Sequence, residues 1–430
     1  MKQTKSILLA AIAAAAVGSA SAQTTNVVAR NQINLAGSTA FRSVHLRELN
    51  AYAVGQGYQR VAWDNATVGS GSADLYTRLV SSATNRGVVT ETRDFINARF
   101  VGSEGGTLVA GSKFTQGFFG LGQRGLVAPA DLPTVCSNMM SATITYSDCD
   151  QSVGVFSGNK GAKARSAKLT SAGNLPALNF AFCTTRDFPA NNITERQASA
   201  LYTRGHLPLS FFTGNPDDRT NGVFAIGRNI DSGTRTAILT EIGVGALTKV
   251  NQYDFNTNTR TISITPAGTL PGISFLAGDG GDNSGGTLCS KVAAATNLTV
   301  ANVPSVTNYP GTVYLIGYSG ISDINSRSLK ALSYNGTAPF NPTPGVNTLG
   351  FQTNFNGIAN GTYSLFSIGK VYFNAANAPK GTDRALVATV AQALATAIGT
   401  NTTSTFGLGN TAISDLNITR AVEGTVAQPR

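Results

Sequence analysis

The chain has 430 residues, 42% of them hydrophobic and 13% charged, with 32 Lys and Arg against 22 Asp and Glu and a formal net charge of +10. A charged fraction about half the usual ~25%, beside an ordinary apolar fraction, excludes disorder as a description of the whole chain. At roughly 100–200 residues per domain, the length excludes one small domain and allows two cores or one large split architecture.

The first 22 residues read as a targeting signal. Lys2 and Lys5 precede an apolar run from Ile7 to Val17 that is too short to span a bilayer, and Ala20-Ser21-Ala22 is an A-x-A cleavage site. Cleavage would start the mature chain at Gln23 and lower the net charge from +10 to +8. No Cys follows that site to carry a lipid, and no later stretch reaches about 18 uninterrupted apolar residues. The expectation is a periplasmic or secreted protein with no direct membrane anchor.

Gln32–Ala36 predicts a strand that runs through Gly37-Ser38-Thr39-Ala40-Phe41 into a helix over Arg42–Ala53, with Leu46, Leu49 and Ala53 on one face. The same alternation of apolar run, small polar turn and helix recurs along the chain, which predicts an α/β protein. No repeat at a period of about 20–50 residues is present, which excludes solenoids and propellers. Two further small-residue turns follow, Gly69-Ser70-Gly71-Ser72 and Gly102-Ser103-Glu104-Gly105-Gly106-Thr107.

Four cysteines, Cys136, Cys149, Cys183 and Cys289, allow three complete pairings in an oxidising compartment. Cys136 with Cys149 is the preferred pair, closing a loop of about 14 residues and constraining the unfolded chain by about 3 kcal/mol. The spacing of a CxxC or Cys/His zinc site is absent. His45, in the first helix, and His206, in a predicted loop, are the only histidines, and both read as surface or packing residues. With no G-x-S-x-G, H-E-x-x-H or Walker loop, the chain is not expected to be an enzyme or to need a metal or cofactor.

Arg228-Asn229-Ile230-Asp231-Ser232-Gly233-Thr234-Arg235 leads into Ala237-Ile238-Leu239 and predicts another turn opening a helix. The stretches 251–260 and 278–286 read as exposed loops or hairpins, and Tyr363-Ser364-Leu365-Phe366 as a strand. The last helix is predicted over Asp383–Ile398, with Leu386, Val390, Leu394 and Ile398 at every fourth position and Gly399 as its stop.

Each small-residue turn offers backbone N–H groups and hydroxyls at a helix start, where the macrodipole favours an anion. Arg228 adds a charge able to pair bidentately with a tetrahedral oxyanion. The competing reading of any single turn is that its Ser or Thr caps a helix. Taken together, the Gly37-Ser38-Thr39 turn, Tyr146-Ser147-Asp148, the Arg228–Thr234 run and Ile316-Gly317-Tyr318-Ser319-Gly320 resemble, in the same order, the phosphate-binding proteins of bacterial phosphate ABC transporters, a family with the type II periplasmic binding-protein fold.

That resemblance implies two α/β lobes joined by hinge crossovers, one lobe from 23–152 and 362–430 and the other from 153–361. It places Ser38, Thr39 and Ser103 on the anion from the first lobe, and Arg228, Ser232, Gly233 and Thr234 from the second. Asp148 would accept the proton that phosphate carries and sulfate lacks, which would exclude sulfate. Ser70 competes with Ser103, and Asp150 with Asp148. Glu104 would oppose an anion unless Arg42 or Arg235 neutralises it. The implied partners are phosphate or a related oxyanion and an ABC transporter permease. The alternative is a secreted structural or adhesive protein on the same scaffold. No basic run or aromatic-basic alternation points to nucleic acid, so the positive charge is read as steering small anions.

Overall fold

The computed structural model describes residues 26–38, 48–49, 51–52, 55–60, 76–81, 90–100, 102–112, 115–118, 138–147, 169–245, 248–270, 273–306, 308–339, 356–399, 410–411, 413–419 and 428–429. The residues bearing on Arg42–Arg47, Gly69–Ser72, Cys136, Thr39 and Asp148–Asp150 lie outside this set.

The expected α/β class is met. One mixed sheet includes, along its main path, β1 (Asn26–Gly37), β2 (Tyr58–Arg60), β3 (Tyr76–Ser81), β4 (Thr90–Phe100), β5 (Ile144–Ser147), β6 (Thr170–Thr184), β7 (His206–Pro208), β8 (Gly222–Ala225), β9 (Thr312–Gly320) and β10 (Phe366–Phe373). Their order across the sheet is β7-β8-β9-β6-β10-β5-β1-β4-β3-β2. Helices α1 (Ser103–Ala110), α2 (Glu195–Arg204), α3 (Gly233–Glu241), α4 (Gly285–Ala294) and α5 (Arg384–Gly399) accompany it.

Strand β6 connects the two halves of the sheet. Its first part, Thr170 to Asn179, pairs antiparallel with β10, and its end, Phe180 to Cys183, pairs antiparallel with β9. From Leu175 onward every residue is buried, as expected of a strand covered on both faces. Pro176 sits inside this buried stretch, and the ladder steps around it. Ile368 opposes Ala177 while Lys370 opposes Asn174, so two residues of β6 face one of β10 where Pro176 has no N–H to donate.

The elements begin and end where their chemistry dictates. Thr194 and Gln197 form a capping box at the start of α2, and Gly205, at φ +90°, closes it. Ser232 and Ser284 accept from the backbone N–H groups of Arg235 and Thr287 at the starts of α3 and α4. In α5, Val387, Val390, Ala391, Leu394, Ala395 and Ile398 form the buried stripe, which places the predicted face on the core. The described part of the Arg42–Ala53 stretch, Glu48–Leu49 and Ala51–Tyr52, is helical. The stretch 251–260 contributes one arm and the turn of a hairpin, Tyr253–Asn256 paired with Thr261–Ile264.

The Gly102–Thr107 turn opens α1, with Gly102 as its N-cap, as read from the sequence. Two expectations are corrected. The strand expected over Tyr363–Phe366 starts at Phe366, while the buried Tyr363 hydroxyl donates to the Phe180 carbonyl at 2.8 Å. His206 lies in β7 rather than a loop, its Nδ1 3.1 Å from the Tyr309 hydroxyl.

Candidate functional site

The sheet register brings the first half's turns together. Gly37, the last residue of β1, opposes Phe100 at the end of β4 and Tyr146 near the end of β5, and both pairings are parallel. Three parallel strands therefore end side by side, and the segments leaving them share one edge, where open α/β sheets place ligands. The Gly102 N–H donates to the Gly37 carbonyl at 3.0 Å, and the Ser38 N–H to the Tyr146 carbonyl at 2.9 Å. Gly37 has φ +122°, and a Cβ there would overlap the Tyr146 backbone, so the approach requires glycine. Ser38 and Ser103 are buried in this corner.

The second half supplies its turn in the same way. β8 runs parallel to β9, and the chain leaving its C-terminal end carries Arg228 and then the start of α3. The two corners touch: a Cβ at Gly102 would lie 2.9 Å from the Asp231 carbonyl oxygen and 3.1 Å from its Oδ2. The N-terminus of α1 thus faces the residue immediately before the cap of α3. The first N–H groups of each helix have no intrahelical acceptor, and both dipoles present their positive ends.

Arg228 is buried, and its hydrogen bonds go to carbonyls. Nε donates to Asp282 O and Nη2 to Asn283 O, each at 3.1 Å, and its backbone N–H donates to the Tyr318 hydroxyl at 3.2 Å. The Asp282 carboxylate is engaged by Lys291 at 2.6 Å, and Lys291 also holds Asp254. Burial raises the Asp282 carboxyl above its ordinary value, with the Lys291 charge acting against that shift. Among the described residues, no carboxylate hydrogen-bonds to Arg228. Arg235 differs: it is fully buried, ion-paired to Asp279, and donates to the carbonyls of Asp279 at 2.5 Å and Arg228 at 3.3 Å. That pairing occupies the guanidinium expected to offset Glu104.

Asp231 is the residue that sequence reasoning missed as a site member. Its surface is partly accessible, yet protein encloses it, and this burial pushes its carboxyl up to about 6 although Arg228 and Arg235 pull it down. The only signal for it in the chain is its place directly before Ser232-Gly233-Thr234. Of the expected residues, the structure brings Ser38, Ser103, Arg228, Ser232, Gly233 and Thr234 into or beside the two touching corners, all of them buried. Ser232 also caps α3, with its Oγ 3.3 Å from the Arg235 N–H. Thr39, Ser70, Asp148 and Asp150 lie outside the described residues. Gly317 and Tyr318 form no corner: both are in β9, and the Tyr318 hydroxyl supports Arg228 from beneath while donating to Gln252 Oε1 at 3.1 Å.

No protein-family model and no curated protein matches the chain. Solved structures do. A protein assigned as a phosphate ABC transporter substrate-binding protein, with bound phosphate, from Clostridium perfringens aligns over 88% of this chain and 99% of its own, at 14% identity and a TM-score of 0.43. PstS from Borrelia burgdorferi aligns over 88% and 98%, at 14% identity and a TM-score of 0.37. An ABC-type phosphate transport receptor from Vibrio cholerae aligns over 87% and 98%, at 12% identity and a TM-score of 0.40. At these values the likeness leaves the ligand to be decided by the chain's own residues.

Proposed function

We propose that the protein is an extracytoplasmic solute-binding protein that captures phosphate between two lobes for an ABC transporter permease. The observation that supports this most is the meeting of the α1 and α3 N-termini beside Arg228, a buried guanidinium whose hydrogen bonds go to carbonyls. Two positive helix ends and a buried cation form a field that a tetrahedral anion neutralises, and backbone N–H groups and hydroxyls satisfy its oxygens. The lobes are the two halves of the sheet, 23–152 with 362–430 and 153–361, with β6 as one crossover between them.

The lining residues are buried, so the anion enters when the halves part and is enclosed when they meet. Ser38, Thr39 and Ser103 donate from the first half; Ser232, Gly233, Thr234 and Arg228 donate from the second. Carboxylates at Asp148 and Asp231 select for an anion that brings its own proton. Monohydrogen phosphate donates to such a carboxylate, whereas sulfate leaves it repelled and unpaired.

Calorimetric titration into protein that has been unfolded and refolded to strip bound ligand tests this reading. One-to-one phosphate binding with no sulfate heat is expected at neutral pH. Arg228→Ala is expected to weaken phosphate at least about 100-fold, in line with the ~3 kcal/mol typical of losing a buried charge-assisted contact. Silence toward phosphate in the stripped protein would sink the proposal and favour a structural or adhesive role for the same scaffold.

A further inference from the structure

Two residues outside the oxyanion corner form a second constellation. Cys183 lies near the end of β6 and Cys289 in the middle of α4; both are fully buried and both are free thiols. The register explains why they meet. Directly opposed residues of an antiparallel pair project from the same face, and Gly317 opposes Cys183 while Ser319 opposes Ala181.

Helix α4 covers that face. A Cβ on Gly317 would lie 2.7 Å from Leu288 Cδ2, and one on Gly285 would overlap the Ser319 hydroxyl. Cys289 is adjacent to Leu288 and one helical turn beyond Gly285, so it points toward the same row. The Cys183 thiol and the Ser319 hydroxyl are its polar neighbours there.

We propose that Cys183 and Cys289 are an oxidative modification site, closing to a disulfide that pins α4 onto β6. The thiolate of one cysteine attacks the disulfide of a thiol–disulfide oxidant, forming a mixed disulfide and releasing one oxidant thiol. The second cysteine then displaces the other oxidant thiol, so the protein loses two protons and two electrons and the oxidant becomes two thiols. Burial pushes the Cys289 thiol well up, and the thiolate is the nucleophile, so the bond closes while α4 is still docking. The link joins positions that are 106 apart in the chain. It steadies the start of α4, just after Asp282 and Asn283, whose carbonyls hold Arg228. Only the source of the oxidant in the cell rests on the extracytoplasmic reading; the geometry does not.

The test is refolding of the full chain from denaturant in a buffer of oxidised and reduced glutathione. The refolded protein is quenched in acid, alkylated under denaturing conditions without reductant, and mapped by peptide mass. The expected product is a Cys183–Cys289 linked peptide, two hydrogens lighter than its separate halves and lost on reduction, with a melting temperature that falls when reductant is added. The same link is expected in the Cys136→Ala, Cys149→Ala double variant. Folded protein in which Cys183 and Cys289 both carry alkyl groups would overturn the proposal, as would linkage of either to Cys136 or Cys149. A linked protein that binds no phosphate would keep this inference and sink the transport reading.

Discussion

A carboxylate beside two guanidinium groups ordinarily titrates low, yet burial outweighs both at Asp231 and pushes it up to about 6. The sign follows from linkage. Between about 4 and 6 the folded chain binds a proton that the unfolded chain has released, so this group's contribution is most favourable in acid and is lost as pH rises through about 6. Asp231→Asn is therefore expected to raise stability at pH 7.5 by about 1–3 kcal/mol and to leave it little changed near pH 4, as urea unfolding at the two pH values would show. The same variant should gain sulfate affinity at least tenfold, because an amide N–H donates where the carboxylate repelled. Wild-type protein should likewise begin to accept sulfate below about pH 6. Flat sulfate titrations in both would remove Asp231 from ligand selection. Ser232 caps α3 and is proposed to donate to the anion, and substitution can separate the two. Ser232→Ala should cost about 1 kcal/mol through the lost cap, and Ser232→Gly only a few tenths. A matching loss of phosphate affinity in both variants would assign the hydroxyl to the ligand, whereas an unchanged affinity would leave it a cap alone.

Among the elements, α1 depends most on a close approach. A Cβ on Gly106 would overlap the Gly37 Cα and lie 2.5 Å from Thr145 Oγ1, so α1 rests directly on the ends of β1 and β5. Gly106→Ala should push the helix outward, lower the melting temperature and weaken phosphate at least tenfold. Gly55→Ala, where a Cβ meets nothing within 4 Å, should change neither. Equal melting curves for the two variants would show that α1 is not seated as described. This helix also marks where the sequence stopped being legible. α5 could be read from period alone, because it sets a regular apolar stripe against the core, whereas only 32–36 of β1 was legible, since buried Gln32 and Asn34 interrupt its apolar residues. Glu104-Gly105-Gly106 looks like a turn, since glycine disfavours helix locally, and only the tertiary contact with Gly37 explains it. Arg228 and the Ser232-Gly233-Thr234 run stood out because an arginine and a helix-start signature adjoin. Asp231 did not, because its raised titration arises from burial in the folded chain, where one neighbour, Gly102, lies about 130 positions earlier.

At the scale of the whole molecule, the proposed site lies where the corner at Gly102 meets the one at Asp231. β6 serves both halves, pairing with β10 through Asn179 and with β9 from Phe180, with its bulge at Pro176 in the first part. The contact between Gly102 and Asp231 joins corners carried by β1, β4 and β5 on one side and by β8 on the other. An anion held there as proposed would bind both helix N-termini at once, so it should tie the first turns of α1 and α3 together. Hydrogen exchange reads this directly. Phosphate at 100 times its Kd stabilises the closed form by about 2.7 kcal/mol, enough to slow exchange from the open form about 100-fold. Protection is expected to rise together at the first turns of α1 and α3, and to stay unchanged at the distant α2. Protection confined to α3 would mean that the anion binds one half alone, and closure between the halves would then play no part in capture.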